Sequence, residues 1–197
     1  MKMNIILVII CILSLFTNCK EDCPTPEFST YFPTSIGSYW NYEVYDSLEK
    51  KYDRISIKVV NKIVTNNKTV YLWRFENKSD FVDTLYFFAN ADSVSFYEDN
   101  NLSFIKWQYK IPLKIGKTWY VKRSTPSDEY SVVSIDKINN FSDSYRVVRH
   151  RGSANYGLTE STWVSPNIGI VRRDIYEFNT LPVINQTWNL ISYCIKE

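Results

Sequence analysis

Trp40-Asn41-Tyr42-Glu43-Val44 and Arg54-Ile55-Ser56-Ile57-Lys58-Val59 set an apolar side chain at every second position and a polar one between. That period of two belongs to a strand with one face buried. Similar runs follow at Thr69 to Glu76, Thr84 to Phe88, Ser93 to Tyr97, Thr118 to Arg123, Tyr130 to Ile135, Tyr145 to His150, Ser161 to Val164, Ile170 to Phe178 and Thr187 to Ile195. About eleven short strands, with no amphipathic helical repeat beyond the leader, predict an all-β fold. The expected form is an antiparallel meander curled into a half-barrel or barrel-like sandwich, since consecutive strands usually neighbour one another. Asn66-Asn67, Asn90-Ala91-Asp92, Asp99-Asn100-Asn101 and Asn139-Asn140 separate adjacent runs. Asparagine is the non-glycine residue that best tolerates the left-handed backbone of tight turns, so a low glycine count is no obstacle.

The inventory narrows the chemistry. In 197 residues there are 5 Gly and 1 His against 15 Tyr, 11 Phe and 6 Trp. Glycine-rich phosphate cradles and imidazole-based metal or triad chemistry therefore have almost no raw material, and neither a metal nor a cofactor is expected. A net charge of +2 lacks the clustered basic footprint of a nucleic-acid binder.

The first residues read as an address. Lys2 precedes an apolar run, Ile5 to Leu13, too short to span a hydrocarbon core of ~30 Å and matched to the h-region of a secretion signal. Phe16-Thr17-Asn18-Cys19 resembles the lipoprotein signals of the Bacteroidota, which accept Asn or Ser before the cysteine. The resemblance implies removal of residues 1–18, lipid on Cys19, a tether over 19–30 containing Pro24 and Pro26, and one all-β domain over 31–197. Lys20-Glu21-Asp22 resembles the signal that sends some of these lipoproteins to the outer face of the outer membrane. With Cys11 leaving in the leader and Cys19 acylated, Cys23 and Cys194 remain as a pair in an oxidising compartment. A disulfide between them, closing nearly the whole domain, is the expectation, and two separate buried thiols are the alternative.

Pro33-Thr34-Ser35-Ile36-Gly37-Ser38-Tyr39-Trp40 is echoed by Pro112-Leu113-Lys114-Ile115-Gly116-Lys117-Thr118-Trp119 at Pro, Ile, Gly and Trp. Each copy precedes a strand and reads as a corner: Pro fixes an extended approach, Gly permits a turn closed to other residues, and Trp buries a ring against the sheet. A third corner, Trp163-Val164-Ser165-Pro166-Asn167-Ile168-Gly169-Ile170-Val171, joins two apolar runs. Together these resemble a group of β-rich Bacteroidota lipoproteins with a Pro-Leu-Lys-x-Gly-x-x-Trp element and a late Trp-x-x-Pro-x-x-Gly-x-Val-like corner. The first copy departs from that pattern at Thr34-Ser35. Some such chains look like periplasmic carriers whose curled sheet shelters an acyl chain.

No catalytic constellation stands out. His150 lies in Arg149-His150-Arg151 and reads as a solvated strand end or an anion contact, no Gly-x-Ser-x-Gly element exists, and Asp128-Glu129 reads as surface charge. Tyr71, Trp73 and Phe75, with Tyr86 and Phe88, make two strands apolar on both faces. A sheet of that kind must be covered twice. These five are the candidate surface for a protein, a glycan or an apolar ligand, the alternative being a closed core. The function expected is a lipid-anchored, non-catalytic binding or accessory module; the alternative is a carrier of an apolar ligand, and a glycan-active enzyme built on paired carboxylates comes third.

Overall fold

The structure, a computed structural model, describes residues 31–77, 82–122, 127–153, 156–178 and 184–196. Twelve strands follow one another: β1 (Tyr39–Asp46), β2 (Lys51–Thr65), β3 (Lys68–Asn77), β4 (Val82–Ala89), β5 (Ser93–Tyr97), β6 (Ile105–Lys110), β7 (Thr118–Val121), β8 (Asp128–Ile138), β9 (Phe141–Ser153), β10 (Tyr156–Ser165), β11 (Gly169–Phe178) and β12 (Ile184–Cys194). No helix occurs among the described residues. The strand beyond the eleven expected is β6, where Ile105, Trp107 and Tyr109 alternate with Lys106, Gln108 and Lys110.

All twelve form one antiparallel sheet in the order β6-β5-β4-β3-β2-β1-β12-β11-β10-β9-β8-β7. The meander expected from sequence holds within each half of the chain and breaks between β6 and β7. The first strand instead pairs with the last, from Tyr39↔Cys194 to Asp46↔Gln186. The sheet thus curls into a nearly closed barrel whose open seam lies in the middle of the chain. Across that seam the Trp119 indole donates to the Gln108 carbonyl at 3.1 Å, a side chain standing where a ladder would.

Inward positions carry Trp40, Tyr42, Val44, Ile57, Val59, Trp73, Phe75, Leu85, Phe87, Phe96, Trp107 and Tyr109, all buried. Outward positions of the same strands carry Asn41, Glu43, Arg54, Ser56 and Lys58. A membrane-spanning barrel has the opposite polarity, apolar outside and polar within. The C-terminal ends of β1, β3, β5, β7, β9 and β11 lie at one end. The chain enters and leaves at the other, where Phe32 plugs the interior against Tyr109 at 5.0 Å and Phe96 at 5.7 Å between ring centres. There the Lys196 amide donates to the Ser38 hydroxyl at 3.0 Å.

The two echoed segments are the same corner built twice, once before β1 and once before β7. Gly37 N–H donates to Val59 O and Gly116 N–H to Val132 O, both at 2.8 Å; Val59 and Val132 N–H return to Ser38 O and Lys117 O, both at 2.9 Å. The glycines sit at φ +91° and +82°, a backbone that costs other residues about 1–2 kcal/mol.

The third corner receives the side chains of the first strand. The β11–β12 ladder stops at Arg172↔Asn189. Beyond it the Ile168 carbonyl accepts from the Trp40 indole at 2.6 Å and the Ile170 carbonyl from the Tyr42 hydroxyl at 2.7 Å. Buried carbonyls left by the shortened ladder are in this way satisfied by β1.

Candidate functional site

The barrel has two unlike inner walls. From β1 to β6 the wall is aromatic: Trp73 is stacked between Trp40 (4.7 Å, 21°) and Phe87 (5.3 Å, 19°), with Phe96 edge-on at 5.1 Å. From β8 to β11 the wall carries charge. Asp128 and Glu160 are 0% and 2% exposed, and Arg149 and Arg173 are 5% and 7% exposed. Such burial is tolerated only when every charge is paired.

Here they are paired in a chain. The Arg149 guanidinium donates to Asp128 Oδ2 through Nε at 3.0 Å and Nη2 at 2.9 Å, and to Glu160 Oε2 through Nη1 at 3.0 Å. Arg173 grips Glu160 with both Nε and Nη2 at 2.9 Å, and the Thr162 hydroxyl adds a bond of 3.0 Å. Arg151, partly exposed, closes on Asp128 through Nε and, at 2.9 Å, Nη2. Burial alone would push the Glu160 carboxyl up, but Arg173 and Arg149 outweigh it and hold it below the ordinary carboxylate range. Three guanidiniums against two carboxylates leave the cluster with one net positive charge.

Arg173 joins the two walls, its guanidinium lying 4.3 Å from the Trp107 ring centre and 5.3 Å from that of Trp188. Beside it is a small pocket lined by Tyr42, Ile57, Phe75, Trp107 and Trp188 among others, with a volume of about 10 Å³. One water molecule is all that fits there, against the several hundred Å³ typical of a ligand pocket. Burial raises the hydroxyls of Tyr42 and Tyr109 above their ordinary value, so both remain neutral.

The five aromatics expected to share a surface do not. Trp73 and Phe75 are in the core at 3% and 8% exposure, and Tyr71 faces the same interior, paired with Phe87. Tyr86 and Phe88 alternate with the buried Leu85 and Phe87 and so lie on the outer face, half-buried. Lys68 Nζ stands 5.0 Å over the Phe88 ring. The reading of Asp128 as surface charge is also corrected, because it anchors the buried cluster, while its neighbour Glu129 points out. His150 is exposed, with Nδ1 3.1 Å from the Thr159 hydroxyl. Among the described residues no group of three or more His, Cys, Asp or Glu is placed to hold a metal. Cys19 and Cys23 lie outside the described residues; Cys194 is fully buried at the end of β12.

The buried cluster was missed, yet its signal is in the sequence. Asp128, Tyr130 and Val132 are in phase, as are Val147 and Arg149, Glu160, Thr162 and Val164, and Val171 and Arg173. Each charged residue occupies a slot in an apolar repeat, which places it inside.

No protein-family model matches the sequence, nor does any curated protein. Among solved structures, a candidate lipoprotein of Parabacteroides distasonis ATCC 8503 aligns over 85% of this chain and 100% of its own, at 13% identity and a TM-score of 0.51. A candidate exported protein of Bacteroides fragilis NCTC 9343 aligns over 84% of this chain and 99% of its own, at 14% identity and a TM-score of 0.51. At such identities the likeness is one of backbone, and the chain shares its fold with these two proteins, the second of which is described as YmcC-like.

Proposed function

We propose that the chain is a lipid-anchored protein of the cell envelope, displayed on the outer membrane, which acts by binding rather than by catalysis. The observation that carries this reading is the position of the chain ends. Residue 31 enters and residue 196 leaves at the plugged end of the barrel, so a lipid on Cys19 would hold that end toward the membrane and present the opposite turns outward. The descriptions of the two fold neighbours as a lipoprotein and an exported protein support the same placement. A single acyl chain binds a membrane marginally, whereas the two or three of a bacterial lipoprotein anchor it stably.

The chemistry of the interior favours binding. A general acid needs a carboxyl with a raised pKa, and Glu160 is held low with its oxygens occupied by Arg149, Arg173 and Thr162. The pocket beside Arg173 is too small for an acyl chain, so the carrier reading gains nothing from it. Engagement of a partner falls instead to the outward face near the β1–β2 turn. Tyr45 and Tyr52 pack there with their rings tilted at 4.8 Å, Tyr52 is 65% exposed, and Tyr176 on β11 is exposed on the same outer face. Tyrosines of this kind suit a protein or glycan partner, offering a flat apolar ring with a polar tip.

Changing Cys19→Ala is expected to abolish acyl labelling and to move the protein from the membrane to the soluble or secreted fraction; persistent labelling would refute the anchor. On intact cells, added protease should digest the wild-type protein if it is surface-displayed, and protection would restrict it to the periplasmic side. For the cysteines, peptide mapping without reductant should recover Cys23 linked to Cys194. Free thiols at both positions would end that assignment.

A further inference from the structure

Of the residues the two corners share, structure explains three. Pro33 and Pro112 lead the chain in, Gly37 and Gly116 hold φ values of +91° and +82°, and Trp40 and Trp119 are buried with their indoles bonded. The fourth is unexplained. Ile36 is 49% and Ile115 61% exposed, on corners whose backbone is fixed by matching hydrogen bonds. Burial does not call for isoleucine at either place, yet both corners carry it.

Their positions in the barrel supply a reason. β1 and β7 are six strands apart in a ring of twelve, so the two corners lie on opposite sides of the plugged end. That end also carries Lys62, Lys68, Lys114 and Lys137, with Asp92, Asp136 and Asp143, while Lys117 Nζ is held by the carbonyls of Ile111 and Pro112. The same end receives the tether. Twelve residues, 19–30, reach about 40 Å even when fully extended, so a lipidated Cys19 keeps this face within a short distance of the bilayer.

We infer that the plugged end of the barrel is a membrane-contacting face, on which Ile36 and Ile115 insert as two apolar feet among lysines that meet an anionic lipid surface. This rests on the lipoprotein reading and adds an orientation to it. The lipid anchor alone leaves the domain free to tumble on its tether. Two rigid contacts on opposite sides of one end, with basic residues between them, would hold the barrel upright. Apolar groups at an interface and basic groups near anionic headgroups act together in this way, and the basic contribution weakens with salt.

The test uses the full lipidated protein in vesicles of phosphatidylethanolamine and phosphatidylglycerol, with a nitroxide at Lys114→Cys or, at the far end, at Glu49→Cys. Flotation with the vesicles and the acyl mass on Cys19 report the anchor separately. Expected is collisional relaxation by oxygen at position 114, as for a site in lipid, and by a water-soluble nickel chelate at position 49. In Ile36→Ser/Ile115→Ser the anchor and the thermal midpoint should be retained while lipid contact at position 114 is lost. An anchored protein whose position 114 stays water-exposed would overturn the inference and leave the lipoprotein reading standing. So would a co-purifying protein that covers position 114 in place of lipid. Absence of acylation and of flotation would remove both.

Discussion

Glu160→Gln is expected to destabilise the folded protein by about 3–5 kcal/mol, because it leaves the buried Arg149 and Arg173 guanidiniums without the carboxylate that holds them. Against a typical net stability of about 5–15 kcal/mol, that loss is large enough to unfold a substantial fraction of the molecules on mild warming. The control is Glu129→Gln on the outer face, whose expected effect is within about 0.5 kcal/mol. Urea unfolding at neutral pH measures both. Replacing Asp128, Arg149, Glu160 and Arg173 together by Asn, Met, Leu and Met should recover much of the loss, since a neutral set of similar volume avoids desolvating these four ions and leaves the partly exposed Arg151 able to reach water. If the single variant proves neutral, the cluster is hydrated and its burial has no energetic meaning.

The same residue fixes an acid limb. A carboxyl whose folded pKa lies below its unfolded value contributes stability above the unfolded value, about 4.3, and loses it as pH falls through the folded value. Wild-type protein should therefore lose stability below about pH 4 more steeply than Glu160→Gln, and the gap between them should narrow with acid. An unchanging gap down to strong acid would contradict the ion-pair account.

Trp40→Ala is the second large effect. The ring is 1% exposed and stacked on Trp73, so its removal opens a cavity costing about 3–5 kcal/mol. It also leaves the Ile168 carbonyl without its donor, a further penalty of about 1–3 kcal/mol. Trp40→Phe separates the two contributions, keeping most of the packing while removing the indole N–H. Hydrogen exchange should then show loosening at the β10–β11 corner, around Ile168 and Ile170, ahead of the rest of the sheet. Equal loosening everywhere would mean that the bond does not tie β1 to that corner.

Alternation was enough to read eleven of the twelve strands, because half-buried strands impose a period of two on composition, and the adjacency of consecutive strands supplied the antiparallel, curled sheet. What alternation does not carry is the identity of the pairing partners at the ends. The β1–β12 ladder joins residues more than a hundred positions apart and has no local mark, and the β6–β7 break falls inside what reads as an ordinary connection. The five-aromatic surface failed for a related reason. Apolar residues on both faces of β3 and β4 are equally compatible with a ligand surface and with a closed core; one face packs within the barrel and the other lies half-covered on the outside. The charged wall was overlooked because charge ordinarily signals solvent; phase within the repeat was the better guide.

A sheet that joins its first strand to its last has an order of assembly built into it. During synthesis β1 emerges early, but one of its edges finds no partner until the final eleven-residue strand, Ile184–Cys194, has followed. Until then no strand stands between β1 and β11 to hold the carbonyls of Ile168 and Ile170 against Trp40 and Tyr42, so a truncation just upstream of Ile184 leaves an adhesive edge beside an open aromatic core. Closure of the barrel thus waits on a distant pairing, which is slow by comparison with local hairpin formation.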